Sequence, residues 1–151
     1  MNNAKAVLTF GLAVLTLLFT FDATHAQQSR DITLAGYKMN PTVGTTGTGF
    51  VTVSLHRDTL SVEGEFSELM SPFSGAYIMG EIRGEAGNVL YRLKADLNEE
   101  KKGGQFKRKK NTFVLSKAQK AMLREGKLHL TITSREHSNG EIRAKIPPMS
   151  G

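Results

Sequence analysis

The chain has 151 residues, no cysteine and a formal net charge of +6 at pH 7. The lack of cysteine excludes a disulfide-stapled scaffold, and it also excludes lipid attachment through a cysteine. The excess of positive charge favours anionic partners.

Residues 1–26 have the pattern of a secretory signal peptide. Lys5 precedes a mostly apolar run from Ala6 to Phe21, and the small residues Thr24 and Ala26 suit cleavage after Ala26. The run is about 16 residues long, which is shorter than the roughly 20 that a membrane-spanning helix needs. We therefore predict that this segment is a cleaved signal peptide and not a membrane anchor.

Cleavage would leave a single domain over residues 27–151. This mature chain would contain 151 − 26 = 125 residues, enough to bury one core. The protein is predicted to be exported, either secreted or periplasmic, with no transmembrane segment after signal cleavage.

Apolar residues two apart recur along the mature chain, which is the spacing of half-buried β-strands. His56 to Thr59 separates two such runs and predicts a hairpin loop. The pattern predicts an all-β fold, a Greek-key antiparallel β-sandwich that is immunoglobulin-like or superoxide-dismutase-like, with one short helix. In chain order, the predicted strands lie around Ile32–Leu34, Val51–Leu55, Leu60–Val62, Tyr77–Met79, Val89–Leu93, Phe113–Leu115, Leu128–Ile132 and Ile142–Ile146.

The single helix is predicted from its caps. Ser116 suits the N-cap, Gln119 completes a capping box, and Gly126 suits a left-handed C-terminal cap. An amphipathic helix packs its apolar stripe inward, so we expect it to cover one end of the sandwich. The residues predicted to face inward are Leu115, Ala118, Ala121 and Met122.

Six pieces of sequence, in order, resemble the chordin-type (CHRD) domain. They are Leu34 to Leu55 with its Asn40-Pro41 loop, Leu60 to Leu69, Gly75 to Gly80, Gly87 to Leu90, Leu115 to Gly126, and the closing motif Gly140-Glu141-Ile142-Arg143. The resemblance implies an exported, non-catalytic module that binds or scaffolds a partner outside the cytoplasm.

Three positions depart from the family pattern. Tyr77, Met79 and Thr133 stand where the resemblance implies a His-x-His pair and a third histidine. A His-x-His pair on a strand shares one face and could hold a metal ion through its ring nitrogens, whereas these three residues offer no comparable nitrogen ligands. We therefore predict no metal site and no cofactor at these positions.

The alternative is a metal-dependent redox protein resembling Cu/Zn superoxide dismutase. It is disfavoured because the mature chain keeps only His56, His129 and His137, too few for a two-metal site. No serine, histidine and aspartate stand in a known catalytic sequence context, so the sequence predicts that the protein is not an enzyme.

The Gly-Glu-Ile-Arg sequence occurs twice, at Gly80–Arg83 and at Gly140–Arg143. Strand alternation places Glu and Arg of each copy on one face and Ile on the other. A charged ligand-binding ledge is one interpretation. We favour a structural role, in which opposite charges on neighbouring strands form cross-strand pairs.

The densest charge feature is the basic segment, Lys101–Lys110, with Phe106 among its cations. It predicts either a site for an anionic polysaccharide or cell-envelope component, or a solvated edge whose lysines prevent strand pairing. Nucleic acid is not expected as a partner of an exported protein. Asp96, Glu99 and Glu100 lie just before the segment and could neutralise part of it. Its six cations are Lys101, Lys102, Lys107, Arg108, Lys109 and Lys110.

Overall fold

The computed structural model describes residues 27–151, so the predicted signal peptide lies outside the described residues. Within this range the chain forms ten strands, one α-helix (α1, Lys117–Arg124) and two short 3-10 helices, Gly36–Lys38 and Arg108–Lys110. The strands are β1 Gln28–Ala35, β2 Thr48–His56, β3 Thr59–Ser67, β4 Phe73–Ile82, β5 Glu85–Arg92, β6 Ala95–Leu97, β7 Gly104–Phe106, β8 Thr112–Val114, β9 Leu128–Ser134 and β10 Ile142–Ile146.

All strand pairs that the structure describes are antiparallel and belong to one sheet. Its order is β5-β4-β9-β10-β1-β2-β3-β7-β6, and β8 pairs with the start of β3. The connections from β3 to β4, from β5 to β6 and from β8 to β9 each run between strands that are not neighbours. The chain therefore crosses repeatedly from one half of the sheet to the other.

The sheet curls so that its two halves pack face to face. Phe66 of β3 stacks on Phe73 of β4 with ring centroids 5.3 Å apart, although four strands separate β3 from β4 in the sheet order. Near the edges, Tyr91 of β5 stacks on Phe113 of β8 at 4.6 Å. The predicted all-β fold with one short helix is confirmed, and one curled sheet supplies both packed layers.

Alternating apolar residues form the core between the layers. Val51, Val53 and Leu55 of β2 face Leu130 and Ile132 of β9 in the same buried cluster. Burying each such side chain contributes roughly 1.5–3 kcal/mol to the stability of the fold. The predicted hairpin is also present, since His56 pairs with Thr59 across a two-residue turn.

The capped helix forms as its sequence predicts. The Ser116 hydroxyl accepts a hydrogen bond from the Gln119 N–H at 3.2 Å, and the Ser116 N–H donates to Gln119 Oε1 at 2.8 Å. Gly126 has a φ of +66°, and the Lys127 N–H donates to the Met122 carbonyl at 2.8 Å in a Schellman arrangement. Both predicted caps are thus confirmed.

The inward face of α1 differs from the prediction at one position. Ala118 is exposed, whereas Leu123 is fully buried and joins the core. The buried side of the helix is therefore centred nearer Leu123, which lies on a different side of the helix from Ala118. Two short strands, β6 and β7, are also absent from the sequence prediction.

The capping box should contribute measurably to stability. Ser116→Ala removes the acceptor for the Gln119 N–H, and we expect the free energy of unfolding to fall by about 1 kcal/mol. Urea denaturation followed by circular dichroism measures the change. Ser138→Ala is the matched control, because Ser138 is exposed and its hydroxyl has no hydrogen-bond partner among residues 27–151. Equal stability of the two variants would contradict the capping role.

Candidate functional site

Tyr77, Met79 and Thr133 lie on one face of the neighbouring strands β4 and β9. The strand register pairs Gly75 with Thr133 and Met79 with His129. Since side chains alternate along a strand, this face is opposite to the core. We call it the outer face; its other members are His129 and Thr131 of β9 and Arg143 and Lys145 of β10.

The three positions that the resemblance aligns with histidines have local contacts. Thr133 Oγ1 donates to the Gly75 carbonyl at 3.2 Å and shares a hydrogen bond with Ser74 Oγ at 2.8 Å. The hydroxyl end of Tyr77 lies over Gly75, so close that an added Cβ there would be 2.3 Å from it. Met79 is half-buried on the same strand.

The outer face does not bring together enough side chains of the kinds that bind metal ions. Within residues 27–151, no three or more His, Cys, Asp or Glu side chains lie close enough together to hold a metal ion. His56 ends β2, His129 is in β9 and His137 is in the loop that follows β9, so the structure does not bring the three into one group. That no metal or cofactor binds stays a prediction.

Several polar residues of the outer face are buried. His129 is 8% exposed, and its Nε2 lies 3.2 Å from Glu81 Oε2, which Lys145 Nζ also contacts at 3.2 Å. His129 Nδ1 is buried without a hydrogen-bond partner in the described part of the chain. Burial lowers the pKa of His129 and outweighs the opposing effect of Glu81. The pKa of Glu81 is lowered by its hydrogen bonds from His129 and Lys145.

The two Gly-Glu-Ile-Arg copies have different surroundings. In the first, Glu81 of β4 contacts Lys145 of β10, and β9 lies between these strands, so this is not the pair on neighbouring strands that the structural interpretation expects. In the second, Glu141 has no ion pair among residues 27–151, and all of Gly140, Glu141, Ile142 and Arg143 are buried. The motif therefore lies under other chain segments and not on an open strand face.

Glu141 holds two loops against the sheet. Its side chain is fully buried, and its Oε1 accepts hydrogen bonds from the Met70 N–H at 2.8 Å and from the Thr45 hydroxyl. Met70 belongs to the β3–β4 connection, and Thr45 belongs to the β1–β2 connection. Glu141 Oε2 is buried and has no partner among the described residues.

Gly140 and Arg143 complete the motif's contacts. Gly140 has a φ of +131°, and an added Cβ would come within 2.5 Å of Met39 Cε, so a side chain here would displace Met39. Arg143 Nε donates to Thr131 Oγ1 at 3.1 Å. The Arg143 guanidinium also lines a cavity of about 500 Å³ between the outer face and its covering loops.

The basic segment is divided into two parts by β7. Lys101 and Lys102 precede β7 in a turn, where their carbonyls accept hydrogen bonds from Phe73 and Leu69. The other four cations, Lys107 to Lys110, follow β7 around the second 3-10 helix. The six cations therefore do not form one cluster.

Three of the four cations after β7 form ion pairs, and two carboxylates serve as their partners. Lys107 and Lys110 both pair with Asp96, and their hydrogen bonds lower the pKa of Asp96 to about 2. Arg108 pairs with Glu63 through Nε at 3.2 Å and through Nη2. Lys109 is exposed, and it has no ion pair among residues 27–151.

An aromatic side chain lies beside these cations, although it is not the one in the segment. Phe106 is buried and packs on Phe66 at 5.3 Å. Phe50 of β2 is instead 59% exposed and lines an open groove of about 710 Å³ with Gln105 and the cations from Lys107 to Lys110. We call this feature the basic groove.

The fold and these sites define an all-β module with a covered polar sheet face. A comparison with protein-family models matches the CHRD domain over residues 19–146. The chain therefore belongs to the CHRD domain family, and the resemblance drawn from its sequence is confirmed. The match begins inside the segment predicted as a signal peptide. Searches of curated proteins and of solved structures return no match.

Membership of this family supports a non-enzymatic binding or structural module as the general class of the protein. CHRD domains occur in extracellular or exported proteins. Among residues 27–151, no helix is long and apolar enough to span a bilayer.

The buried imidazole should make stability depend on pH. The pKa of His129 is lowered in the folded state, so the unfolded chain binds more protons between the folded pKa and the unfolded value of about 6.5. The associated stability is present in full above that value and is lost as the pH falls below it. We expect the unfolding temperature of His129→Gln to change less between pH 7 and pH 5 than that of the unmodified protein.

His56→Gln is the matched control for this pH profile, because His56 is exposed. The lowered pKa values of Glu81 and Asp96 act below about pH 4.5 and so do not disturb the window. Identical profiles for the His129 and His56 variants would contradict the assignment.

Glu141 should be needed for stability through its acceptor oxygen. Glu141→Ala leaves the Met70 N–H and the Thr45 hydroxyl without their acceptor, and we expect a loss of roughly 2–4 kcal/mol. Glu141→Gln keeps one acceptor oxygen and should lose less than half as much. Urea denaturation of both variants measures the difference, and equal losses would show that the acceptor is not the cause.

Proposed function

We propose that the protein is an exported, non-catalytic CHRD-domain protein that binds an anionic polysaccharide or another anionic component of the cell envelope. The basic groove is the observation that carries this proposal. It combines exposed cations with the exposed ring of Phe50. Export is supported by the signal-peptide pattern of residues 1–26 and by the family.

The groove suits a chain of charged sugars for two reasons. A phenyl ring offers apolar surface to the carbon-bound hydrogens of a sugar ring, while lysine and arginine attract its carboxylate or sulfate groups. The open shape of the groove leaves room for a polymer to continue past either end. Lys109 provides a cation that no carboxylate among residues 27–151 holds.

The ion pairs within the groove set the expected strength of binding. Asp96 and Glu63 compete with any anionic ligand for Lys107, Arg108 and Lys110. These pairs are exposed, so they contribute little and exchange readily with solvent ions. Binding should consequently be weak and strongly dependent on salt.

Heparin chromatography of residues 27–151 tests the groove. Replacing Lys107, Arg108, Lys109 and Lys110 by serine should abolish retention at moderate salt and leave the unfolding temperature nearly unchanged. Lys109→Ser alone should lower the salt concentration at elution. Unaltered retention of the fourfold variant would overturn the proposal.

A charge-matched comparison separates a local site from net charge. Asp96→Asn releases Lys107 and Lys110, so we expect elution at higher salt. Glu125→Gln changes the net charge equally and also breaks one exposed ion pair, with Lys127, but neither residue lines the groove. The two variants would elute together if only the overall charge mattered.

A further inference from the structure

The cavity beside Arg143 is separate from the basic groove, and its walls come from four parts of the chain. Met39 to Val43 form one wall, and Met79 of β4 and Ala86 of β5 form another. The loop from Glu136 to Gly140 and Arg143 form the other walls, and the cavity is partly open to solvent. A volume of about 500 Å³ is within the usual range of small-molecule sites.

The walls are held in place by hydrogen bonds. The Val43 N–H donates to the Gly36 carbonyl at 3.1 Å, which closes the Met39–Val43 wall. Asn40 Nδ2 donates to Glu85 Oε1 at 2.8 Å and fastens this wall to β5. On the opposite side, the Glu136 N–H donates to Ser71 Oγ at 2.9 Å. The cavity is therefore a formed feature of the fold.

Arg143 is the unusual member of the cavity. Arg143 is 7% exposed, yet the only hydrogen bond of its side chain to residues 27–151 is the one from Nε to Thr131. The nearest carboxylate oxygen, Glu85 Oε2, lies 4.0 Å from Nη1, beyond hydrogen-bond distance. Both Nη atoms thus retain donors for a ligand in the cavity.

The Arg143 side chain is mostly withdrawn from solvent, and Glu85 at 4.0 Å replaces only part of its lost hydration. Burial lowers the pKa of Arg143, which reflects this cost. A planar carboxylate would accept two parallel hydrogen bonds from the Nη atoms, the geometry that arginine recognises best.

The other lining residues restrict the ligand further. Met39, Pro41, Val43 and Met79 present apolar surface, which suits a hydrocarbon body. Glu136 also lines the cavity, and Glu85 lies near Arg143, so a dianion would be repelled more than a monoanion. These features favour a monocarboxylate with an apolar body over inorganic phosphate.

We propose that this cavity binds a small organic monocarboxylate, whose carboxylate pairs with Arg143 and whose apolar part lies against Met39 and Met79. The site does not depend on the proposed polysaccharide function. Binding displaces the loose interaction between Arg143 and Glu85, so Glu85 acts as a competitor at the cavity rim.

Methyl NMR titration of residues 27–151 with hexanoate tests this site directly. The methionine methyl signals of Met39 and Met79 should shift in a saturable manner, while those of Met70, Met122 and Met149, which do not line the cavity, should not. Hexanol has a similar apolar body without the charge and should bind about tenfold more weakly. Inorganic phosphate should cause no comparable shift.

Three variants assign the effect to Arg143. Arg143→Lys keeps the positive charge but loses the two parallel N–H donors of the guanidinium. It should weaken hexanoate binding about tenfold. Glu85→Gln removes the competitor and should strengthen binding. Arg135→Gln is the matched control, because Arg135 is an exposed arginine that does not line the cavity, and hexanoate binding should be unchanged.

Two results would overturn the proposal. One is the absence of hexanoate-dependent shifts at Met39 and Met79 in both the unmodified protein and Glu85→Gln. The other is equal binding of hexanoate and hexanol, which would mean that the cavity accepts apolar molecules without using Arg143. Glu85→Gln keeps the test valid even if Arg143→Lys fails to fold, because Glu85 is exposed and its side chain is at the rim. Neither result bears on the retention of the protein on heparin, so this proposal and the polysaccharide proposal can be contradicted independently.

Discussion

The burial of β9 on both faces is the constraint on which the structure depends. All seven residues of the strand are buried, although only Leu128, Leu130 and Ile132 face the apolar core. Its other face is polar, and buried polar groups need hydrogen-bond partners. Thr133 finds its partners on β4, and His129 contacts Glu81 at the end of that strand. The sheet therefore buries polar side chains on part of its outer face as well as apolar side chains in its core.

The Gly-Glu-Ile-Arg motif at β10 fastens those loops to the sheet. Gly140 leaves room for Met39, which arrives from the β1–β2 connection. Glu141 then holds that connection and the β3–β4 connection through one carboxylate oxygen. Ile142 faces the core, and Arg143 extends beneath the cover toward the cavity. Each of the four residues of the motif thus makes a different contact in this structure.

The features that the sequence predicted correctly are those that depend on residues close together in the chain. The period-two runs and the caps at Ser116 and Gly126 depend on neighbours in the chain, and the structure confirms them. The three-residue strands β6 and β7 have too few residues to show a period, and β7 is held by pairing with β3. Likewise, Arg108 pairs with Glu63, which is 45 positions away in the chain. The sequence suggested as partners only the acidic residues just before the basic segment. Alternation also cannot reveal that a polar strand face is covered, because that depends on distant loops.

The methionine at position 79 and the state of Arg143 are physically connected. A methionine at position 79 adds apolar surface to the same cavity that contains the guanidinium, and Met39 adds more from the covering loop. Apolar walls lower the local dielectric constant, which raises the cost of leaving a charge without a partner and strengthens its attraction to an anion. On this face the group with the weakest partner is therefore the positively charged Arg143, whose nearest carboxylate is 4.0 Å away. Its chemistry selects for a ligand of opposite charge.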